Sequence, residues 1–168
     1  MNRASQGDGG EGDIPGVIAP PPLIFAAFLI AGWMAGRWLG LPTLGQLAGL
    51  EAGLRNPLAI VLIVVGLGLE AWAAGRFRRA RTNVVPWKPS TALVTDGPYS
   101  FSRNPIYVGF ALTYAGIATG LDSIAALAGL IPCLIVVERF VIVREERYLA
   151  ARFGAAFDDY RQKVRRWL

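Results

Sequence analysis

Polar residues able to hold a small ligand come together where a loop runs into an apolar segment. In order they are Asp96-Gly97-Pro98-Tyr99-Ser100-Phe101-Ser102-Arg103-Asn104-Pro105-Ile106-Tyr107-Val108-Gly109. Pro105 suits the first turn of a helix, where its missing N–H is not needed, and Asn104 suits the N-cap. The start of that helix, together with Arg103, would attract a carboxylate or a phosphate. A purely structural interpretation, with Asn104-Pro105 as a cap and Arg103 as an interfacial anchor, stays open.

Charged residues form a second group near the end of the last apolar run, as Glu138, Arg139, Arg144, Glu145 and Glu146. Glu138 lies inside the run, where a charge is costly unless it is paired. Arg139 cannot face the same side of a helix as its neighbour, so Glu138 is expected to have another partner. A candidate is the basic loop, the arginine-rich polar stretch from Arg76 to Arg103. The group can also be interpreted as a solvated charge run at a helix exit.

The elements that must position both groups are apolar runs. Of the 168 residues, 54% are hydrophobic, which exceeds the roughly 45 to 50% of soluble domains. The runs predict an all-α integral membrane bundle of about four transmembrane helices, at about 23–41, 57–75, 105–120 and 123–143. Amphipathic C-terminal helices are predicted at 144–166. Residues 1–19 are predicted to be a disordered tail, and 20–168 a single domain.

A short turn, Gly120-Leu121-Asp122, separates the last two runs and predicts an antiparallel helical hairpin. The hairpin would return the chain to the side from which it entered the membrane, so that the two polar groups meet. Lysine and arginine are concentrated in the predicted tail, in 76–103 and from Arg139 onward. The positive-inside rule therefore predicts that both termini and the site are cytoplasmic.

Aromatic and apolar residues continue at helical spacing beyond the last run, as Tyr148, Leu149, Phe153, Phe157 and Tyr160. This face predicts a helix that lies on the membrane or folds back over the bundle. Gly154 is predicted to break the helix in two.

The residue types exclude several classes of function. The chain has no histidine, which rules out an imidazole base and a Ser-His-Asp triad. Its one cysteine, Cys133, lies in an apolar run, so no metal site is predicted. The net charge is +5, but the basic residues alternate with apolar runs, which indicates anionic membrane lipids rather than nucleic acid as partners.

Taken together, the two groups resemble the isoprenylcysteine carboxyl methyltransferase family and its phospholipid methyltransferase relatives. The resemblance covers roughly 83–168 and is carried by Gly97-Pro98-Tyr99, Ser102-Arg103-Asn104-Pro105-Ile106-Tyr107-Val108-Gly109, Arg144-Glu145-Glu146-Arg147-Tyr148-Leu149, Phe153-Gly154, Tyr160 and Val164-Arg165-Arg166-Trp167-Leu168. Asn104 departs from the family pattern, which has histidine there. An amide forms hydrogen bonds but does not titrate, so a proton role at this position is in doubt.

The resemblance implies a membrane enzyme that uses S-adenosylmethionine, bound in a cytoplasmic pocket. The cofactor-binding residues that it implies form two walls: Tyr99, Arg103, Asn104, Pro105, Tyr107 and Gly109 on one, and Glu145 and Glu146 on the other. Arg144 would lie on the second wall with the two glutamates. The candidate catalytic residues are Arg144, Arg139 and Glu145, and either arginine would orient an anionic acceptor.

Methyl transfer suits a chain without histidine, because it depends more on positioning than on a strong base. The implied acceptor is lipid-like: a prenylated cysteine carboxylate (O-methylation) or a lipid amine (N-methylation). Two other functions stay open. One is an NADPH-dependent enzyme like the sterol reductases, and the other is a non-catalytic membrane scaffold. The sequence does not determine the oligomeric state.

Overall fold

The computed structural model describes residues 19–82 and 90–168, and every regular element in this part of the chain is helical. The elements are, in order, α1 (Pro21–Trp38), α2 (Leu44–Ala48), α3 (Ala52–Arg79), a 3₁₀ turn (Gly97–Ser100), α4 (Pro105–Gly120), α5 (Ile124–Val137), a π-helical turn (Glu138–Ile142), α6 (Val143–Phe153) and α7 (Ala155–Lys163). The all-α prediction is confirmed for these residues. Almost all of the predicted tail, and 83–89 of the basic loop, lie outside the described residues.

Within 19–82 and 90–168, two helices are long and apolar enough to cross a membrane: α3, and the continuous helix Ile124–Phe153 that α5, the π-helical turn and α6 form together. The second has 30 residues, whereas about 20 are enough to cross the hydrocarbon core. Its charged end, from Arg144 onward, therefore extends beyond the apolar stretch. Helices α1 and α4 are shorter, with 18 and 16 residues, so four spans remain a prediction.

Helices α3 and α4 pack with their backbones in contact. A Cβ added at Gly66 would lie 2.4 Å from Oγ1 of Thr113 and 2.7 Å from the carbonyl oxygen of Gly109. One added at Gly116 would lie 2.8 Å from the carbonyl oxygen of Ala59. Small residues permit such close packing in lipid, where no hydrophobic force drives helices together. Glycines therefore fix the distance between α3 and α4, the helix that begins directly after Arg103 and Asn104.

Helix α1 packs on α5 at a second small-residue contact. A Cβ on Gly32 would lie 2.9 Å from the Cα of Ala126. The hydroxyl of Tyr114 on α4 donates to the carbonyl oxygen of Ala126 at 2.7 Å, and Phe25 of α1 meets the Tyr114 ring edge-on. These contacts join α1, α4 and α5 into one core.

Polar contacts at the α4–α5 turn hold the residues that join α1 to α3. Oδ1 of Asp122 accepts from the backbone N–H of Gly45 at 2.9 Å, and Oδ2 forms an ion pair with Arg55 at 2.8 Å. The segment between the first two predicted spans contains α2, which has a capping box between Thr43 and Gln46. This end of the bundle is therefore fixed, and α4 and α5 carry both polar groups to the opposite end.

Candidate active site

Arg103 lies in a cage of acceptors at the start of α4. Its Nε and Nη2 donate to Oε1 of Glu146 at 3.2 and 2.7 Å. Its Nη1 donates to the carbonyl oxygens of Arg161 and Val164 at 3.1 and 2.7 Å. The sequence predicted Arg103 and Glu146 on opposite walls of a pocket, but here they form one largely buried ion pair. All three nitrogens of the Arg103 guanidinium therefore donate to protein groups.

A second arginine, Arg166, holds the same carboxylate from the other side. Its Nε and Nη2 donate to Oε1 and Oε2 of Glu146 at 3.1 and 2.7 Å, and its Nη1 donates to Oε1 of Glu138 at 2.7 Å. The indole N–H of Trp167 donates to the other oxygen of Glu138 at 3.0 Å. The expected partner of Glu138 thus comes from 164–168, rather than from the described part of the basic loop.

The π-helical turn explains how one arginine reaches both carboxylates. Glu138 and Glu146 are eight residues apart, whereas two turns of α-helix take about seven. A π-helical turn adds about one residue to a helix, so the two side chains come to the same face. Burial alone would raise the pKa of Glu146, but the hydrogen bonds and charges of Arg166 and Arg103 outweigh it and hold this pKa below its ordinary value.

Asn104 occupies the N-cap position of α4, but its side chain does not cap the helix. Its Nδ2 instead donates to the carbonyl oxygen of Arg166 at 2.9 Å, and Oγ of Ser102 donates to the same oxygen at 3.3 Å. The backbone N–H of Arg103 donates to the carbonyl oxygen of Arg165 at 2.9 Å. Residues 164–168 therefore pack against the corner that residues 102–104 form.

Glu145, next to the caged Glu146, has a different environment. Its Oε1 accepts a hydrogen bond from the hydroxyl of Tyr107 at 2.7 Å. Among the residues that the structure describes, no arginine or lysine forms an ion pair with it. Burial raises the pKa of Glu145 to about 7, the Tyr107 hydrogen bond opposes that shift, and the negative charge of Glu146 adds to it. Glu145 can therefore exchange a proton near neutral pH.

Buried aromatic side chains support this carboxylate. Tyr99 packs edge-on against Phe77 of α3, and its carbonyl oxygen accepts from the hydroxyl of Tyr160 at 2.7 Å. Burial, Tyr160 and the charge of Glu145 raise the pKa of Tyr99 far above its ordinary value, so its hydroxyl stays neutral. Tyr160 and Phe157 lie on α7, which begins just after the predicted break at Gly154.

The other predicted site residues are divided between the site and its surroundings. Pro105 is buried in the first turn of α4. Gly109 does not line the site: a Cβ there would lie 2.5 Å from Cγ of Glu70, so it faces α3. Arg139 and Arg144 are exposed. Sequence reasoning missed Arg166 as a site residue, although it belongs to the segment 164–168 that carries the resemblance.

Replacing Asn104 by aspartate is expected to lower the free energy of unfolding by about 1–3 kcal/mol. The change keeps the side-chain shape but replaces a donor with a carboxylate, which cannot donate to the Arg166 carbonyl when ionised. Thermal unfolding of the purified protein measures the effect. Asn56→Asp, an exposed amide in the first turns of α3, is the matched control. Equal stability of the two variants would show that the Asn104 hydrogen bond contributes little.

Residues 54–156 match the sequence model of the phospholipid methyltransferase family. The chain is also similar to three curated proteins. The chain is 32% identical over 108 residues to the nickel-cobalt-cadmium resistance protein NccN of Alcaligenes xylosoxydans xylosoxydans, which is 64% of this chain and 49% of that protein. It is 32% identical over 111 residues to the cobalt-zinc-cadmium resistance protein CzcN of Cupriavidus metallidurans, 66% of this chain and 48% of that protein.

The third relative is the protein-S-isoprenylcysteine O-methyltransferase of Schizosaccharomyces pombe, 38% identical over 74 residues, which is 43% of this chain and 30% of that protein. The matched part of the chain thus spans about half the length of the two resistance proteins and less of the third. The family match covers α3 to the start of α7, which carry Glu145, Glu146, Arg103 and Tyr107. Because it extends over more than half of the sequence, the chain belongs to the phospholipid methyltransferase family.

Proposed function

We propose that this protein transfers a methyl group from S-adenosylmethionine to a lipid-like acceptor at the cytoplasmic surface of a membrane. The proposed setting is a bundle of about four spans with both termini on the cytoplasmic side. One observation carries the proposal: Glu145 is a half-buried carboxylate that accepts a hydrogen bond from Tyr107 and has no ion-pair partner among the described residues. It lies where the family match and the predicted pocket coincide.

The residues fit the proposed cofactor in charge. When bound, S-adenosylmethionine supplies a methyl group that its sulfonium makes electrophilic. A sulfonium and an α-amino group are cations, and a buried carboxylate without a cationic partner favours cations in its vicinity. Arg103 fits less well as the ligand of the cofactor carboxylate, because Glu146 and two carbonyl oxygens occupy its donors. Glu145 and Tyr107 therefore carry the proposed site, and Arg103 supports it.

The same charges favour an amine as the methyl acceptor. A lipid ammonium group must lose a proton before its nitrogen has a lone pair, and in this proposal Glu145 accepts that proton. Tyr107 stabilises the ionised form of Glu145 by donating a hydrogen bond. For a carboxylate acceptor, by contrast, Arg103 and Arg166 are less suitable partners, because both already form ion pairs with Glu146.

A carboxylate acceptor is the second candidate, since Arg139 and Arg144 are exposed at the end of the last apolar stretch. Either arginine could orient an anionic group that enters from the lipid. The Schizosaccharomyces pombe relative is named for O-methylation of isoprenylcysteine, which is chemistry of this kind. The two candidates differ in pH dependence, because a carboxylate is already ionised at neutral pH and needs no base.

The test is methyl transfer by the purified full chain from labelled S-adenosylmethionine to phosphatidylethanolamine vesicles or to a farnesylcysteine analogue. We expect labelled lipid amine, and a rate that falls as the pH falls through about 7, because Glu145 accepts a proton only when ionised. Methyl transfer to the farnesylcysteine analogue alone, at a rate that does not change with pH near 7, would favour the carboxylate acceptor. Calorimetric binding of NADPH instead of S-adenosylhomocysteine would indicate a reductase, and binding without turnover a scaffold.

A further inference from the structure

Arg166 joins three parts of the site without touching Glu145 in the described contacts. Its side chain bonds Glu146 on α6 and Glu138 in the π-helical turn. Its carbonyl oxygen accepts from Asn104 and Ser102 at the start of α4. One residue thus ties the corner 102–104 to both carboxylates of the last long helix.

The charge of Glu146 matters to Glu145 because the two residues are adjacent, and the charge of Glu146 favours the protonated form of Glu145. Two guanidinium groups offset that charge, those of Arg103 and Arg166. Arg103 also bonds two backbone carbonyl oxygens, whereas the Arg166 guanidinium bonds only carboxylates in the described contacts. Of the two arginines that pair with Glu146, Arg166 is therefore the one whose described side-chain hydrogen bonds all go to carboxylates.

We propose that Arg166 is a positioning residue that sets the protonation of Glu145 by neutralising Glu146, and thereby fixes the pH range in which the site can accept a proton. The inference rests on the proposed function, since it assigns Glu145 the role of proton acceptor. Arg166 acts through Glu146, and its effect on Glu145 is one of charge.

In the part of the chain that the structure describes, few other charges act on Glu145 from the elements packed around it. Tyr107 faces it from α4, and Tyr99 lies near it in the 3₁₀ turn. Both are phenols, which are neutral near pH 7. On the same helix, the charge of Glu146 acts on Glu145. Arg103 and Arg166 are the cations that pair with Glu146. Within the described residues, the paired state of Glu146 is thus the main variable charge that Glu145 experiences.

The experiment follows the carboxyl band of Glu145 by infrared titration of the full-length protein, with Glu145→Gln identifying the band. Arg166→Gln is expected to move the titration midpoint upward by about one pH unit, because Glu146 loses one of its two cationic partners. The acid limb of the methyl-transfer rate should move by the same amount. Arg166→Lys, which keeps the charge, should shift the midpoint much less. Arg165→Gln, an exposed neighbour, is the matched control and should not shift it.

Further variants separate charge from folding. Adding Glu146→Gln to Arg166→Gln removes the uncompensated charge and should return the midpoint to the wild-type value or below it. Glu146→Gln alone should lower the midpoint, even if Arg166→Gln does not fold. A midpoint in Arg166→Gln or Glu146→Gln equal to that of wild type would overturn the inference, as would the absence of a wild-type titration near neutral pH. If wild type transfers no methyl group, the proposed function fails, whereas the infrared titration still decides what Arg166 does to Glu145.

Discussion

Glu145→Gln is expected to lower the rate of methyl transfer to an amine by about 100- to 10,000-fold, the range found when a general base is removed. Glutamine keeps the shape and can still accept the Tyr107 hydrogen bond, but it cannot take a proton. The limb of the pH–rate profile near pH 7 should disappear with it. Steady-state rates over a range of pH, with S-adenosylhomocysteine binding by calorimetry, separate lost chemistry from lost cofactor binding.

Asp159→Asn is the control, since it removes an exposed carboxylate from α7 on the same side of the molecule. Its rate and pH profile should match those of wild type. A Glu145→Gln protein that keeps both its rate and the neutral limb would exclude Glu145 as the base. If only cofactor affinity falls, Glu145 is a ligand of the cofactor rather than a base.

Gly66→Leu is expected to prevent α3 and α4 from packing and to lower the free energy of unfolding by more than about 3 kcal/mol, at the upper end of overpacking effects. A Cβ alone would lie within 2.7 Å of the backbone N of Thr113 and the backbone O of Gly109. These atoms belong to α4 and cannot move without shifting the helix that carries Tyr107. The yield of monodisperse protein in detergent and its thermal midpoint measure the loss.

Gly68→Leu, two residues further along α3, is the matched control. A Cβ there would meet nothing within 4 Å, and Gly68 is exposed. Leucine at this position should therefore be accommodated, with a thermal midpoint close to that of wild type. If Gly66→Leu were as stable as Gly68→Leu, the close α3–α4 contact would not be needed for folding.

Local sequence signals predicted those parts of the fold that proline, glycine and apolar length determine. Helix α4 begins at Pro105 and ends at Gly120, as predicted, and its start follows from the suitability of proline for the first turn of a helix. Gly154 separates α6 from α7 with a φ of 52°, a backbone conformation that glycine adopts readily. Helix α2 was missed, although Thr43 and Gln46 have the spacing of a capping box.

Contacts of the candidate site were less predictable, because they depend on which residue, distant in the sequence, pairs with a given charged side chain. The sequence indicated that the corner at Arg103 would meet the paired glutamates, and the structure brings them together. It assigned Arg103 to a ligand, since the chain pattern does not show that Glu146 occupies this arginine. Gly109 was predicted at the cofactor site, and in the structure its Cβ direction faces α3, because a glycine on a helix can serve close packing as well as ligand binding.

The π-helical turn at Glu138–Ile142 had no signal in the sequence, and it makes the site depend on helical phase. The turn already holds the one extra residue that a π-helical turn accommodates, so inserting a second residue would rotate everything that follows by about 100° relative to the apolar part of the helix. Glu145 and Glu146 would then move away from Tyr107 and Arg103 together, with both still present in the chain. Deleting one residue, by contrast, would restore a regular α-helix with Glu138 and Glu146 about two turns apart on one face. Insertions of one residue, which surface loops commonly accept, would therefore be selected against in this stretch.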